Sequence, residues 1–180
     1  MKKNSHYIKA VVIIAMMTAL GFILDRIVPG VKVWNLKLSF TFIPVCMTAI
    51  LYGPFSSAVC WGLIDLIGAL LMPFGAYFPG YTLTCAISGF IMGIFILSAK
   101  RKNSALWLYI YTAIGCVIRF VFCSMLLDTY WIYLQYSNGR TYTAILLSRA
   151  LLKGVFCIVE IAVIPIVFKL FRGLRGKLGV

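Results

Sequence analysis

Six apolar stretches, each of about the length needed to cross a lipid bilayer, dominate this sequence and leave little room for any other architecture. They run over residues 7–24, 36–52, 55–72, 81–99, 105–127 and 142–171. A helix crossing the hydrocarbon core needs about 20 mainly apolar residues, somewhat fewer where charges flank it. The breaks are chemically distinct: Asp25-Arg26 followed by Pro29-Gly30, the tight turn Gly53-Pro54, and Pro73-Phe74-Gly75 with Pro79-Gly80. Lys100-Arg101-Lys102-Asn103-Ser104 separates the fourth and fifth stretches, and residues 128–141 read as a polar, aromatic loop. With 63% of the 180 residues hydrophobic and only 12% charged, the apolar surface exceeds what one small water-soluble core can bury. The expected fold is an all-α integral membrane protein, a single domain over residues 1–180 with six transmembrane helices. Disordered, collagen-like and coiled-coil folds are excluded by the aromatic content and the lack of a Gly or heptad period. The first stretch has a basic start and an apolar middle, and it is read as a span rather than a signal peptide.

Charge sets the orientation. Seventeen Lys and Arg face four acids, Asp25, Asp65, Asp128 and Glu160, for a net charge of +13. Lys and Arg are retained on the cytoplasmic side of membrane spans. With both termini cytoplasmic, Lys2, Lys3, Lys9, Lys100, Arg101, Lys102, Lys169, Arg172, Arg175 and Lys177 all fall inside. An even number of spans agrees with that. The cations are divided among loops and apolar segments instead of lining one solvated face, which argues against a nucleic-acid partner.

The remaining cations are Arg26, Lys32, Lys37, Arg119, Arg140, Arg149 and Lys153, and all map to the outer half. At 1.5 Å per helical residue, Arg119 lies about 12 Å deep, Lys153 about 16 Å and Asp65 about 10 Å. Arg149 is one turn above Lys153 on one helix face, and Glu160 is two turns below it. Ionisable groups at such depth face a bundle interior or a wet cavity and mark candidate sites. Asp65 and Arg119 could pair simply to hold helices together. Arg149 and Lys153, two like charges one turn apart with few acids to balance them, call for an anion.

The outer connections are rich in aromatic residues: Trp34, Phe74, Tyr77, Phe78, Tyr81, Tyr130, Trp131, Tyr133, Tyr136 and Tyr142. An interfacial belt accounts for many of them. The run Tyr77-Phe78-Pro79-Gly80-Tyr81-Thr82 also sets aromatic rings beside turn-forming residues, in a loop able to close over a flat ligand. Cations and rings together point to a planar aromatic molecule with a negatively charged tail.

Other signals narrow the function further. Ala15 and Ala19, with Gly21 nearby, give a small-xxx-small spacing that lets another helix approach, whether inside the bundle or from a partner. Cysteines 46, 60, 85, 116, 123 and 157 lie in apolar runs with no CxxC pair, and are read as packing residues, not metal ligands. No P-loop, nucleophile elbow or HExxH occurs, and the only histidine, His6, sits in the basic amino-terminal tail. Hence no catalytic residue, metal or cofactor is expected, and the chain carries no energy source of its own.

Several stretches resemble the substrate-binding S components of energy-coupling factor (ECF) vitamin transporters, and among them the folate-specific type. They are Lys37-Leu38-Ser39-Phe40-Thr41-Phe42-Ile43-Pro44, Gly53-Pro54, Asp65-Leu66-Ile67-Gly68-Ala69 and Pro73-Phe74-Gly75-Ala76-Tyr77-Phe78-Pro79-Gly80-Tyr81-Thr82-Leu83. Leu127-Asp128-Thr129-Tyr130-Trp131 and the Arg149 to Lys153 segment complete the set. Asp128 and Tyr81 depart from the family pattern, which has Asn and Phe there. The resemblance implies a prokaryotic cell-membrane protein that captures folate from outside and delivers it by toppling in the membrane. It also implies partners: a transmembrane coupling protein, docked on the Ala15 and Ala19 face, and two ATPase subunits that hydrolyse the ATP. For the ligand, the expected assignments are Arg26, Lys37, Arg149 and Lys153 to the glutamate carboxylates or the positive field around them. Phe78, Tyr81 and Trp131 would stack on the rings, Asp65 or Asp128 would accept from the pterin amino edge, and Thr82 belongs to the same loop. The competing readings are an S component for another vitamin, such as pantothenate, and a membrane-embedded enzyme or channel.

Overall fold

The computed structural model describes residues 2–27, 32–33, 36–37, 40–73, 77–102, 104–136 and 141–178, with side chains in the two strands and at 2–6, 105, 136, 151–152 and 170–178 outside the description. Helix α1 covers Lys2–Phe22 and runs into a π-helical turn, Ile23–Ile27. Two short strands, β1 (Lys32–Val33) and β2 (Leu36–Lys37), pair antiparallel with Lys32 opposite Lys37 and Val33 opposite Leu36. Helices α2 (Phe42–Tyr52), α3 (Pro54–Leu71) and α4 (Pro79–Lys102) follow. Then α5 (Ala105–Arg119) passes through a π-helical stretch, Phe120–Leu127, directly into α6 (Asp128–Tyr136), and α7 (Tyr142–Leu178) ends the chain. The helical rods therefore number six among the described residues.

Five rods are long and apolar enough to cross a membrane: Tyr7–Ile27, Pro54–Leu71, Pro79–Lys102, Leu106–Gln135 and Tyr142–Lys169. The sixth corrects the expected second span over 36–52. Helix α2 has only 11 residues, a rise of about 16 Å, roughly half of a 30 Å hydrocarbon core. It is buried nearly all round, with Phe42, Pro44, Val45, Cys46, Met47, Thr48, Ala49 and Ile50 all inside. Protein rather than lipid surrounds it, so bilayer thickness does not set its length. The expected loop over 128–141 is also corrected, because the fifth rod stays helical to Tyr136.

The turn between α2 and α3 follows its sequence. Gly53 takes φ +90°, a conformation that side chains rarely adopt, and its N–H closes α2 on the Ala49 carbonyl at 3.0 Å. Pro54, which has no N–H to lose, opens α3. Helices α3 and α4 pack closely where Gly89 and Gly93 stand one turn apart. A Cβ on Gly93 would sit 2.4 Å from Pro54 Cα, and one on Gly89 would sit 2.6 Å from the Ser57 carbonyl oxygen. The buried Ser57 hydroxyl bridges this crossing, within 3.0 Å of the Gly89 carbonyl and 3.3 Å of the Val45 carbonyl. Gly93→Val is expected to lower the thermal unfolding midpoint of the purified protein, at a cost of about 1–3 kcal/mol of overpacking. Backbone, not a flexible side chain, would have to move.

The described cations at one end of the bundle form a group. Lys100 Nζ donates to the Ile50 carbonyl at the end of α2 (3.2 Å), Lys102 lies 5.2 Å from the Trp107 ring, and Lys169 lies 5.3 Å from the Tyr109 ring.

Candidate functional site

The opposite end holds the acids, with Arg26, Arg119, Arg149 and Lys153, and most of the loop aromatics. Here the chain closes a cavity of about 140 Å³. Four charged side chains line it: Asp25 from the π-turn after α1, Arg119 from the end of α5, and Lys153 and Glu160 from α7. Its apolar wall is aromatic, made by Phe42, Trp61, Phe120 and Phe156, and Thr41 and Ser124 add hydroxyls. Three of these positions, Asp25, Phe120 and Ser124, lie on the π-helical turns. An inserted residue turns side chains off the α-helical register, and such turns recur at functional sites.

Charges in the cavity are unevenly matched. Arg119 Nη2 donates to Glu160 Oε2 in an ion pair whose two side chains are each 13% exposed. The Arg119 guanidinium also lies 5.5 Å from the Trp61 ring centroid, where a cation is attracted by the ring face. Arg119 Nε is buried with no hydrogen-bond partner among the described residues. Asp25 pairs with Arg26 (2.9 Å) and accepts from Thr41 Oγ1 (3.4 Å). Lys153 has neither a hydrogen bond nor an ion pair to any described residue, although it faces the cavity. The pairing of Asp65 with Arg119 considered above does not form: Arg119 takes Glu160, and Asp65 Oδ2 accepts from Thr82 Oγ1 at 2.7 Å.

The other expected site residues fall into separate groups around this cavity. Arg149 is one turn from Lys153 and pairs with Asp128 at 3.7 Å, and the same carboxylate attracts Lys153 at longer range. Arg26 reaches across to α3, where Nη1 donates to the Met72 carbonyl at 2.8 Å. Gly68 makes room for that guanidinium, since a Cβ there would lie 2.6 Å from Arg26 Nε. Phe78 packs on Trp131 with centroids 5.2 Å apart and meets Tyr81 edge-on at 6.1 Å. Trp131 Nε1 donates to Thr84 Oγ1 (3.1 Å), which fixes the indole against α4. Thr82 donates its one proton to Asp65, so the Tyr77 hydroxyl at 3.4 Å donates to Thr82. Backbone pairing places Lys37 opposite Lys32, and its side chain lies outside the described residues, as do Trp34, Phe74 and Arg140.

Sequence reasoning missed Phe42, Trp61, Phe120 and Phe156 because it looked for rings only in the connections. For Phe120 and Phe156 the signal was present, since they lie in the stretches that carry Arg119, Lys153 and Glu160, whereas Phe42 and Trp61 lie in stretches without these residues.

On the outside of the bundle, Ala15 and Ala19 are exposed and line an apolar groove of about 500 Å³. Val11, Ile14 and Phe22 of α1 share it with Val59, Leu63 and Ile67 of α3. Gly21 belongs to a different surface: it is buried, and a Cβ there would lie 2.2 Å from the Ile64 Cδ1 of α3. The small residues of α1 therefore serve two faces, one internal and one open.

Comparison with known proteins places the chain. The family model of the ECF transporter substrate-specific component matches residues 9–170, and the chain belongs to this family. It is a multi-pass membrane protein. Among curated relatives, the folate transporter FolT of Leuconostoc mesenteroides subsp. mesenteroides is 30% identical over 135 residues, covering 75% of this chain and 69% of that one. The folate transporter FolT of Clostridium novyi (strain NT) is 25% identical over 148 residues, covering 82% and 81% of the two chains. A crystal structure of FolT bound with folic acid superposes with a TM-score of 0.72 at 24% identity, over 87% of this chain and 90% of that one. The S component of a bacterial ECF transporter follows at a TM-score of 0.57 and 22% identity, over 94% and 97%.

Proposed function

We propose that this chain is the high-affinity folate-capturing subunit of an ATP-driven ECF uptake system in a prokaryotic cell membrane. The observation that carries the reading is Lys153, a cation that makes no direct ion pair and shares the field of Asp128 with Arg149, facing a cavity walled by aromatic rings. A buried charge is costly unless paired. An anionic, planar vitamin supplies the missing carboxylate and rings to fill the aromatic slot. Likeness to FolT proteins of other organisms supports folate as that vitamin.

In this reading Lys153 and Arg149 receive the glutamate carboxylates, and Arg26 and Lys37 shape the positive field at the mouth. Phe78, Tyr81, Thr82 and Trp131, with Asp65 and Asp128, form the rim that closes over the ligand. The end carrying Lys100, Lys102 and Lys169 faces the cytoplasm with both termini, since Lys and Arg are retained on that side. The groove at Ala15 and Ala19 docks a transmembrane coupling protein, whose two ATPase partners supply the energy for toppling the subunit in the membrane. Mass spectrometry of the small molecule that copurifies with the protein tests the ligand assignment. Folate or a reduced folate is expected, and another vitamin bound in its place would overturn the reading.

A further inference from the structure

We propose that the exposed face of α5, at the end that carries Lys102 and Lys169, binds an anionic phospholipid whose headgroup holds two phosphates joined by a glycerol bridge. The proposal goes beyond the folate reading and does not depend on it.

Charge at this end of the bundle has no match inside the chain. The sequence holds four acidic side chains, and all four lie at the other end, in or around the charged cavity. On α7 the acid, Glu160, is nine residues before Lys169, about 14 Å of helix rise. Arg101, Lys102 and Lys169 are all exposed. Phosphates of the surrounding bilayer are the anions within reach, and basic clusters between helix ends at a membrane surface take up such headgroups.

Two of these ammonium groups are held in place. Lys102 Nζ lies 5.2 Å from the ring centroid of Trp107, which packs on Tyr111 at 5.8 Å, and Lys169 Nζ lies 5.3 Å from that of Tyr109. A ring face attracts a cation and so restricts a long, flexible side chain before any ligand arrives. The two rings stand on opposite edges of one strip. At about 100° per residue, Trp107 and Tyr109 lie about 160° apart around α5, with Leu106, Ile110 and Val117 between them. Those three are exposed, whereas Leu108, Thr112 and Cys116 on the other side of the helix are buried. The strip is an apolar track that faces lipid and ends between two ammonium groups.

Spacing selects the headgroup. Side chains on opposite edges of a helix are separated by roughly its 10–12 Å diameter, and a single phosphate is too small to touch both ammonium groups. Two phosphates on a three-carbon bridge reach both, while the acyl chains lie along Leu106, Ile110 and Val117. A soluble anion would leave that track uncovered.

Native mass spectrometry of the purified full-length protein in a neutral detergent, with cardiolipin, phosphatidylglycerol or phosphatidylcholine added, reads the affinity for each lipid. Cardiolipin, with two bridged phosphates, is expected to bind about fivefold or more tighter than phosphatidylglycerol, with one, and phosphatidylcholine weakest. This comparison needs no substitution. Lys102→Gln and Lys169→Gln should each weaken cardiolipin by about fivefold, and the double variant by about 30-fold. Lys9→Gln, which removes a charge from α1 at the same end, should leave cardiolipin binding unchanged. Equal affinity for the two anionic lipids, or undiminished cardiolipin binding in the double variant, would overturn the proposal and leave these lysines to general surface charge or to an acidic partner protein. Displacement of cardiolipin by millimolar inorganic phosphate would overturn it too, because a soluble anion would then suffice.

Discussion

Replacing Lys153 with methionine is expected to weaken folate binding by about 2–5 kcal/mol, or roughly 30- to 5,000-fold, the loss found when one partner of a desolvated charge pair is removed. The reason is the balance of charge within the cavity. Arg119 already has Glu160, and Arg149 has Asp128, whereas Lys153 makes no direct ion pair and feels Asp128 only at longer range. A ligand carboxylate meeting Lys153 therefore breaks no existing ion pair, and removing this ammonium strands the carboxylate in a poorly hydrated place. Without ligand, the Lys153→Met protein should be at least as stable as the wild type, since it no longer buries an ammonium that makes no direct ion pair. Calorimetric titration together with thermal unfolding checks both halves. Folate affinity unchanged in Lys153→Met would remove this residue from the site.

A second large effect is expected on the outside of the bundle. Ala19→Trp fills the groove between α1 and α3 with an indole, where the proposed coupling protein must come close to small side chains. In vesicles reconstituted with the coupling protein and its ATPases, folate uptake should fall to background. Binding to the isolated variant should stay at the wild-type level, because Ala19 does not line the charged cavity. Uptake at the wild-type rate would show that the groove is not the docking face. Loss of binding together with uptake would show that α1 holds the ligand site in shape.

The two surfaces differ in how far the sequence revealed them. Helical spacing alone put Arg149, Lys153 and Glu160 along one line on α7, and the structure brings Lys153 and Glu160 into one cavity. Rise per residue is fixed by the helix, so depth is legible in the sequence. Rotation of one helix about its neighbours is not. That is why Arg119 could be placed at the right level, while its partner, Glu160 in preference to Asp65, emerged only from the packing.

Hydropathy misread α2 for a related reason. An apolar run buried in protein and one buried in lipid have the same composition, and only the second must span the bilayer. Residues 36–37, counted within that run, are strand instead of helix. The stretch after Leu127 failed in the opposite sense. Polar and aromatic residues there suggested a loop, yet Asp128–Tyr136 continues the rod, with Trp131 held by Thr84 and Phe78. Tertiary contacts decided a segment whose local composition was ambiguous. Gly89 and Gly93 also stand four residues apart, but nothing in the sequence said that Pro54 and Ser57 would face them.

Direct titration of the purified wild-type protein with folate and with pantothenate tests the central claim, that the aromatic cavity and its Lys153 ammonium receive a planar, anionic vitamin. Pantothenate has a carboxylate but no rings, so it satisfies Lys153 and leaves the aromatic wall unfilled. The account predicts tight, saturable folate binding and no measurable heat with pantothenate. Tight pantothenate binding with none for folate would contradict it.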